Sequence, residues 1–183
     1  MTDPIITTLS ILTIVGQAIA LIGIITLWVA RKNVSGNWLM RFTAANGPLL
    51  ALIVSSIAVA GSLYLSDVRG FEPCLLCWYQ RIAMYPQVIL LFIGFFKRDS
   101  RAIFYSGIMS AIGFLISGYH YLMQWGVIPE GSCSVVGYYS VSCAKRLVMH
   151  FGYITIPLMA VTAFLLIFLI WLAHRKVART LKP

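Results

Sequence analysis

The chain has 183 residues, of which 60% are hydrophobic and only 10% are charged; soluble domains average about 45–50% apolar and about 25% charged, and a chain of this size cannot hide so much apolar surface in a soluble core. Lys and Arg number 14 against 5 Asp and Glu, a formal charge of +9, but most of the chain lacks the solvated basic face that nucleic-acid binding needs. Disorder, a typical soluble enzyme, a collagen-like chain and a nucleic-acid partner are therefore set aside in favour of a polytopic membrane protein.

A spanning helix needs about 20 mostly apolar residues, and five stretches qualify. Ile5 to Ala30 comes first, closed by Arg31 and Lys32. Pro48 to Ser66 follows, entered through the turn-forming Asn46-Gly47-Pro48. The third runs from about Cys74 to Phe96 and is closed by Lys97-Arg98-Asp99-Ser100-Arg101. Ala102 to Trp125 is the fourth, and Phe151 to Ala173 the fifth, before His174-Arg175-Lys176. Helices are also the only open-chain way to satisfy backbone polar groups in lipid.

Short loops rich in Lys and Arg stay on the cytoplasmic side. With the N-terminus outside, Arg31, Lys32, Arg41, Lys97, Arg98, Arg101, Arg175, Lys176, Arg179 and Lys182 lie inside, leaving Arg69, Arg81, Lys145 and Arg146 outside. The expected topology is N-out and C-in. The first span is expected to be retained as an anchor, because Met1-Thr2-Asp3 carries no positive charge and the basic pair follows the apolar run, the reverse of a secretory signal. The chain then divides into a first helix with its cytoplasmic connector (1–47), a bundle with two outer loops (48–173) and a basic cytoplasmic tail (174–183).

All four cysteines fall on the outer side in this topology. An even count in a disulfide-permissive compartment reads as two disulfides or two redox pairs. Cys74-Leu75-Leu76-Cys77 is a C-x-x-C, a spacing that lets the sulfurs close a small ring and exchange with an outside thiol. Pro73 before it fits a helix N-terminus, where the positive end of the dipole stabilises a thiolate. Arg81 lies one helical turn beyond Cys77, on the same face. An Arg there costs up to about 2.5–3.5 kcal/mol at the bilayer centre and less near its edge. Such a residue calls for a partner: a thiolate, a lipid headgroup or a cofactor that gains negative charge.

Blander readings stand beside these. The C-x-x-C could be half of a zinc site completed by Cys133 and Cys143, with His120 or His150, although zinc pairs usually repeat the short spacing. Arg81 could simply snorkel to the interface. Cys133 and Cys143 could form a plain structural disulfide, or a functional pair on a mobile loop containing Gly131 and Gly137.

Cys74-Leu75-Leu76-Cys77-Trp78-Tyr79-Gln80-Arg81 resembles the C-x-L-C-x-x-x-R signature of DsbB-type thiol oxidoreductases, and Arg81-Ile82-Ala83-Met84-Tyr85-Pro86 continues the match to their BdbC-type relatives. The second outer cysteine pair and the opening of the final span, Phe151-Gly152-Tyr153-Ile154-Thr155-Ile156-Pro157, are also similar. The resemblance covers about Pro48 to Ala173. It implies an all-α membrane protein: a four-transmembrane-helix bundle, here with one additional N-terminal transmembrane helix, in the bacterial cytoplasmic membrane. It implies reoxidation of an outer thioredoxin-like thiol oxidase (DsbA- or BdbD-like), with electrons passed to a membrane quinone, ubiquinone or menaquinone.

Carried over by motif, Cys74 and Cys77 are the quinone-linked pair. Arg81 stabilises the quinone or a thiolate–quinone charge-transfer state. Cys133 and Cys143 exchange with the partner, Cys133 forming the mixed disulfide. His120, in Gly118-Tyr119-His120-Tyr121, loosely matches a family His near the quinone, while a His bonded within the bundle is an equal reading. Tyr79, Tyr85, Phe114 and Tyr121 are possible ring neighbours, although aromatics at this depth are more often belt or packing residues. No metal is expected. Two departures stand out: the added first span, and a second cysteine pair more closely spaced than in the best-known members. Rival readings are a vitamin K epoxide reductase-like bundle, whose cysteine pairs run in the opposite order, and a non-catalytic scaffold or metal-binding module with two structural disulfides.

Overall fold

The computed structural model describes residues 3–29, 37–129 and 142–180. Cys133, Gly131, Gly137, Arg31, Lys32 and Lys182 lie outside the described residues. The apolar runs become six helices: α1 (Pro4–Val29), α2 (Trp38–Ala45), α3 (Gly47–Leu63), α4 (Leu75–Lys97), α5 (Arg101–Gln124) and α6 (Ile156–Thr180). A π-helical turn, Tyr64–Val68, prolongs α3. Among the described residues there is no strand, only an isolated antiparallel bridge between His150 and Ile154.

Four helical stretches are long and apolar enough to cross a membrane: Pro4–Val29, Gly47–Val68, Arg101–Gln124 and Ile156–Thr180. These make the chain an integral membrane protein. The fifth expected span, α4, forms over 23 residues. That is about 34 Å of helix, enough for a hydrocarbon core of about 30 Å. It is not among the four by apolarity because Gln80, Arg81 and Gln87 interrupt its apolar surface. Gln80 and Gln87 are buried in protein rather than turned outward.

Two boundaries differ from the sequence expectation. The last span begins at Ile156 rather than Phe151, because Phe151 and Gly152 both take positive φ (51° and 78°) in the turn closed by the His150–Ile154 bridge. It also continues beyond Ala173 to Thr180, so the basic residues from Arg175 to Arg179 ride on a helix. The connector after α1 contains a helix, α2, not foreseen in the sequence. Asn37 caps it, its side chain accepting from the Met40 amide at 3.2 Å. Met40 and Ala44 pack on Ala173 and Val177 of α6, and His174 Nδ1 lies 2.9 Å from the Ala44 carbonyl.

The main core joins α3, α4, α5 and α6 through Ala51, Met84, Leu91, Ile103, Phe164, Ile167 and Trp171. α5 meets α6 at very short range, because Gly107 lies under Trp171 and Gly113 under Phe164, with no room for a Cβ at either. Small residues permit such approach in membranes, where lipid removes the hydrophobic incentive to associate. α4 and α5 are joined by a polar clamp. Pro86 disrupts the α4 ladder. Next to it, Gln87 donates to the Ala83 carbonyl at 2.8 Å, while its Oε1 accepts from Ser106 (2.6 Å) and Ser110 (3.1 Å) of α5.

α1 packs along α6. Gly16 sits against Thr162 and Leu166. At the end bearing the C-x-x-C, the Asp3 carboxylate accepts from Arg69 Nε at 3.1 Å and from the Tyr64 hydroxyl at 2.9 Å. At the opposite end, Lys176 Nζ donates to the Leu27 carbonyl at 3.0 Å.

Candidate functional site

α4 starts one residue later than the proline suggested, and this changes the role of the first cysteine. Cys74 is the N-cap, extended at φ −70° and ψ 173°. Its sulfur accepts from the Cys77 amide at 3.4 Å. N-cap side chains ordinarily satisfy such orphan amides with oxygen; here a sulfur does so, which favours negative charge on it. Cys74 and Cys77 are free thiols with sulfurs 3.0 Å apart. Cys74 is buried and Cys77 partly exposed.

The two sulfurs address different spaces. Cys74 Sγ lies 3.7 Å from His120 Nε2 and packs in one cluster with Met123 and Cys143. Cys143 is disulfide-bonded and 1% exposed. The crevice beside them, bounded by Glu72, Cys74, Cys77, His120, Gln124 and Cys143 among others, has only about 20 Å³, roughly one water.

On its other side, Cys77 lines a much larger cavity of about 340 Å³. This space lies between α1, α3, α4 and α6, and its wall is mostly aliphatic, including Val54, Ile57, Met84, Met159 and Phe164. Arg81 reaches it one turn below Cys77, so the expected juxtaposition of these side chains forms. The guanidinium is aimed by α3: Nε donates to Ser62 Oγ at 3.0 Å and Nη2 to the Ser62 carbonyl at 3.1 Å. It also lies 5.3 Å from the Trp78 ring centroid and 5.9 Å from that of Tyr85. Tyr85 completes the cluster, its hydroxyl 3.2 Å from Ser62 Oγ.

His120 is 1% exposed and does not line the large cavity. Its Nε2 is 3.0 Å from the Cys143 carbonyl, and its Nδ1 is 2.9 Å from Gln80 Nε2. A carbonyl can only accept and an amide nitrogen can only donate. This network therefore assigns the proton to Nε2 and leaves Nδ1 accepting. Of the four candidate ring neighbours, Tyr85 is in the cavity wall, whereas Phe114 packs against the core. Tyr121 hydrogen-bonds the Tyr153 carbonyl at 3.3 Å, and Tyr79 is 45% exposed.

Sequence reasoning missed Ser62 and Gln80. Gln80 had a readable signal: an amide one turn after Cys77, in a helix that must hide its polar groups. Ser62 had none, since its role depends on how α3 and α4 meet.

Cys74, Cys77 and His120 place three donor atoms within 4.8 Å of one another. Two thiolates and an imidazole are ligands of the type zinc takes, but the three atoms here are already engaged with one another and with the Cys143 carbonyl.

The family model for "Disulfide bond formation protein DsbB" matches residues 44–174. Among curated proteins, the chain is 42% identical to "Probable disulfide formation protein C" of Halalkalibacterium halodurans, over 73% of this chain and 86% of that protein. It is 43% identical to the "SPbeta prophage-derived disulfide bond formation protein B" of Bacillus subtilis, over 66% of this chain and 79% of the other. "Disulfide bond formation protein C" of the same organism is 46% identical over 63% and 82%. No solved structure matches the chain.

Proposed function

We infer that this chain, which belongs to the DsbB family of disulfide bond formation proteins, is a membrane thiol oxidoreductase that reoxidises a thioredoxin-like thiol oxidase and delivers the electrons to a membrane quinone. The observation that carries this reading is the division of labour at the C-x-x-C. Cys74 faces His120 and the Cys143 segment, while Cys77 faces an apolar cavity that also holds Arg81.

The relay has two thiol–disulfide exchanges, each moving two electrons. A thiolate of the reduced partner attacks the Cys133–Cys143 disulfide, forming a mixed disulfide at Cys133. The partner's second thiolate resolves it, so the partner leaves oxidised and Cys133 and Cys143 are dithiol. That dithiol then attacks the oxidised Cys74–Cys77 pair, restoring its own disulfide and reducing the C-x-x-C. In the second exchange Cys74, which packs against Cys143, is the sulfur attacked, and Cys77 leaves as the thiolate on the cavity side, near Arg81. His120, donating from Nε2, steadies the Cys143 backbone beside Cys74.

The residues around the large cavity fit a quinone: aliphatic walls for ring and tail, a guanidinium for its oxygens and a thiol at the rim. A quinone held there would accept the two electrons, and with them two protons, released as the Cys74–Cys77 dithiol closes to its disulfide again. Arg81, fixed by Ser62, holds a positive charge where negative charge develops. In the membrane, the bundle is α3 to α6 with α4 as a spanning member and α1 as an additional N-terminal span. The basic ends of α4 and α6 face the cytoplasm, and the cysteines face outward.

The purified chain, given a reduced thioredoxin-like oxidase and a soluble quinone, is expected to turn over, as read by quinone absorbance. Loss of turnover in Cys77→Ser supports the relay; absence of turnover in the unaltered chain overturns it. Cys143→Ser is expected to trap the partner through Cys133 on a non-reducing gel, and trapping by Cys133→Ser instead reverses the order. The donor triad of Cys74, Cys77 and His120 favours a second reading, a metal-binding module. Stoichiometric zinc in the purified reduced chain, without quinone reduction, would establish that alternative.

A further inference from the structure

The large cavity has one wall that the family match does not include. The match covers 44–174, while Leu9, Leu12, Thr13, Val15, Gly16 and Ile19 of α1 also line the cavity. α1 is held in that place along its whole length. Asp3 is tied to Arg69 and Tyr64, Gly16 rests on Thr162, Gln17 Oε1 accepts from the Tyr153 hydroxyl at 3.0 Å, and Leu27 receives Lys176.

The packing is one-sided. α1 lies along α6, and it meets α3 where Leu9 covers Gly61, with Leu9 Cδ2 3.1 Å from the place a Cβ would take. Farther from the Asp3 end, cavity-lining residues of both helices reach the surface. Val15 is 48% exposed, Ile19 54% and Ile57 43%, although all three also line the cavity. Residues that both line an internal space and reach the apolar surface mark an opening in the wall. In a membrane-spanning bundle this opening faces acyl chains, not water.

We propose that the cleft between α1 and α3, framed by Val15 and Ile19 on one side and Ile57 on the other, is the lateral entrance through which a lipid-soluble quinone reaches Cys77 and Arg81. α1, tied to the bundle by the contacts above, is one jamb: Leu9 on Gly61 and the Asp3 contacts close the cleft at the end bearing the cysteines, so entry is from the bilayer interior. This rests on the reading of the cavity as the acceptor site. Away from that closure, Ala58 of α3, a small residue, also lines the cavity.

The test uses the full chain in lipid nanodiscs, with dithiothreitol as electron donor and a long-tailed benzoquinone as acceptor. Val15→Trp and, from the opposite rim, Ile57→Trp narrow the cleft. Each is expected to lower kcat/KM for the quinone about tenfold. Ile14→Trp adds the same bulk to α1 at an exposed residue that does not line the cavity, and is expected to change it less than twofold. A second readout needs no turnover: tryptophan-fluorescence quenching by the quinone in a Cys77→Ser background, with Val15→Leu and Ile57→Phe as rim variants. Slower quenching than with Cys77→Ser alone supports the entrance. Equal effects of Val15→Trp, Ile57→Trp and Ile14→Trp, or quenching rates insensitive to both rim variants, overturn it. Failure of the underlying reading looks different: the unaltered chain then neither reduces nor is quenched by the quinone.

Discussion

His120 Nε2 stands 3.0 Å from the Cys143 carbonyl oxygen, so one imidazole on α5 ties Cys143 to the mouth of the C-x-x-C. The same nitrogen is 3.7 Å from Cys74 Sγ. Replacing His120 by Ala leaves Gln80 Nε2 and the Cys143 carbonyl without this partner. A buried group left unsatisfied costs about 1–3 kcal/mol. His120→Ala is therefore expected to slow transfer from Cys143 to the C-x-x-C more than oxidation of the C-x-x-C by quinone. Stopped-flow of each half-reaction checks this; equal slowing of both refutes a local coupling role.

Arg81 and Ser62 form a second testable pair. Lys cannot reproduce two bonds from a planar fork, and hydrogen bonds to charged groups are worth about 1.5–3 kcal/mol. Arg81→Lys is expected to raise the quinone KM about tenfold. Ser62→Ala, which keeps the carbonyl contact, should do so more weakly, by a few-fold. Steady-state titration with quinone at fixed dithiol decides. A larger effect from Ser62→Ala than from Arg81→Lys contradicts the arrangement.

The clamp at Gln87 bears on stability rather than turnover. Interhelical hydrogen bonds in membranes average about 0.6 kcal/mol, with a maximum of about 1.7. Ser106→Ala and Ser110→Ala should each destabilise by about that amount in unfolding from mixed micelles. Gln87→Leu should cost more than either, because it also abandons the Ala83 carbonyl beside Pro86. Gly113→Ala, forced against Phe164, is expected to cost about 1–3 kcal/mol by overpacking.

The Asp3 contacts predict a pH dependence with a definite sign. Burial pushes the Asp3 carboxyl up. The Ile5 amide, the Tyr64 hydroxyl and the Arg69 guanidinium outweigh it and hold the group below its ordinary 3.8. A carboxyl with a depressed folded value contributes stability that is complete above 3.8 and disappears as pH falls through the lower, folded value. The thermal-stability difference between the unaltered chain and Asp3→Asn should thus be largest near neutrality and shrink only in strong acid. A difference that grows on acidification would contradict the contact.

Much of this was legible in the residues. The C-x-x-C, Arg81 one turn on, and five helix-length apolar runs follow from spacing and composition, and four of those runs are apolar enough to span. What was not legible depends on helix pairing. No local pattern says that Ser62 aims Arg81, that His120 meets a backbone carbonyl from a segment 23 residues away, or that α1 turns Thr13 and Gly16 toward the cavity. α2 was hidden by its brevity, since eight residues carry too little periodicity to stand out. The late start of α6 came from positive φ at Phe151, a residue type that gives no warning of it.

α4 carries the C-x-x-C and is also the helix whose composition suits lipid least. Gln80, Arg81 and Gln87 find their partners on α3 and α5: Ser62, His120, Ser106 and Ser110. Alone in a bilayer, α4 would face acyl chains with those groups bare. Its integration during synthesis is therefore bound to its neighbours. α3 precedes it with the serine that receives Arg81, and α5 follows as the other half of a hairpin. A change that frees Arg81 or Gln87 from its partner is therefore expected to lower the yield of inserted protein, and for Arg81, in the proposed relay, the rate as well.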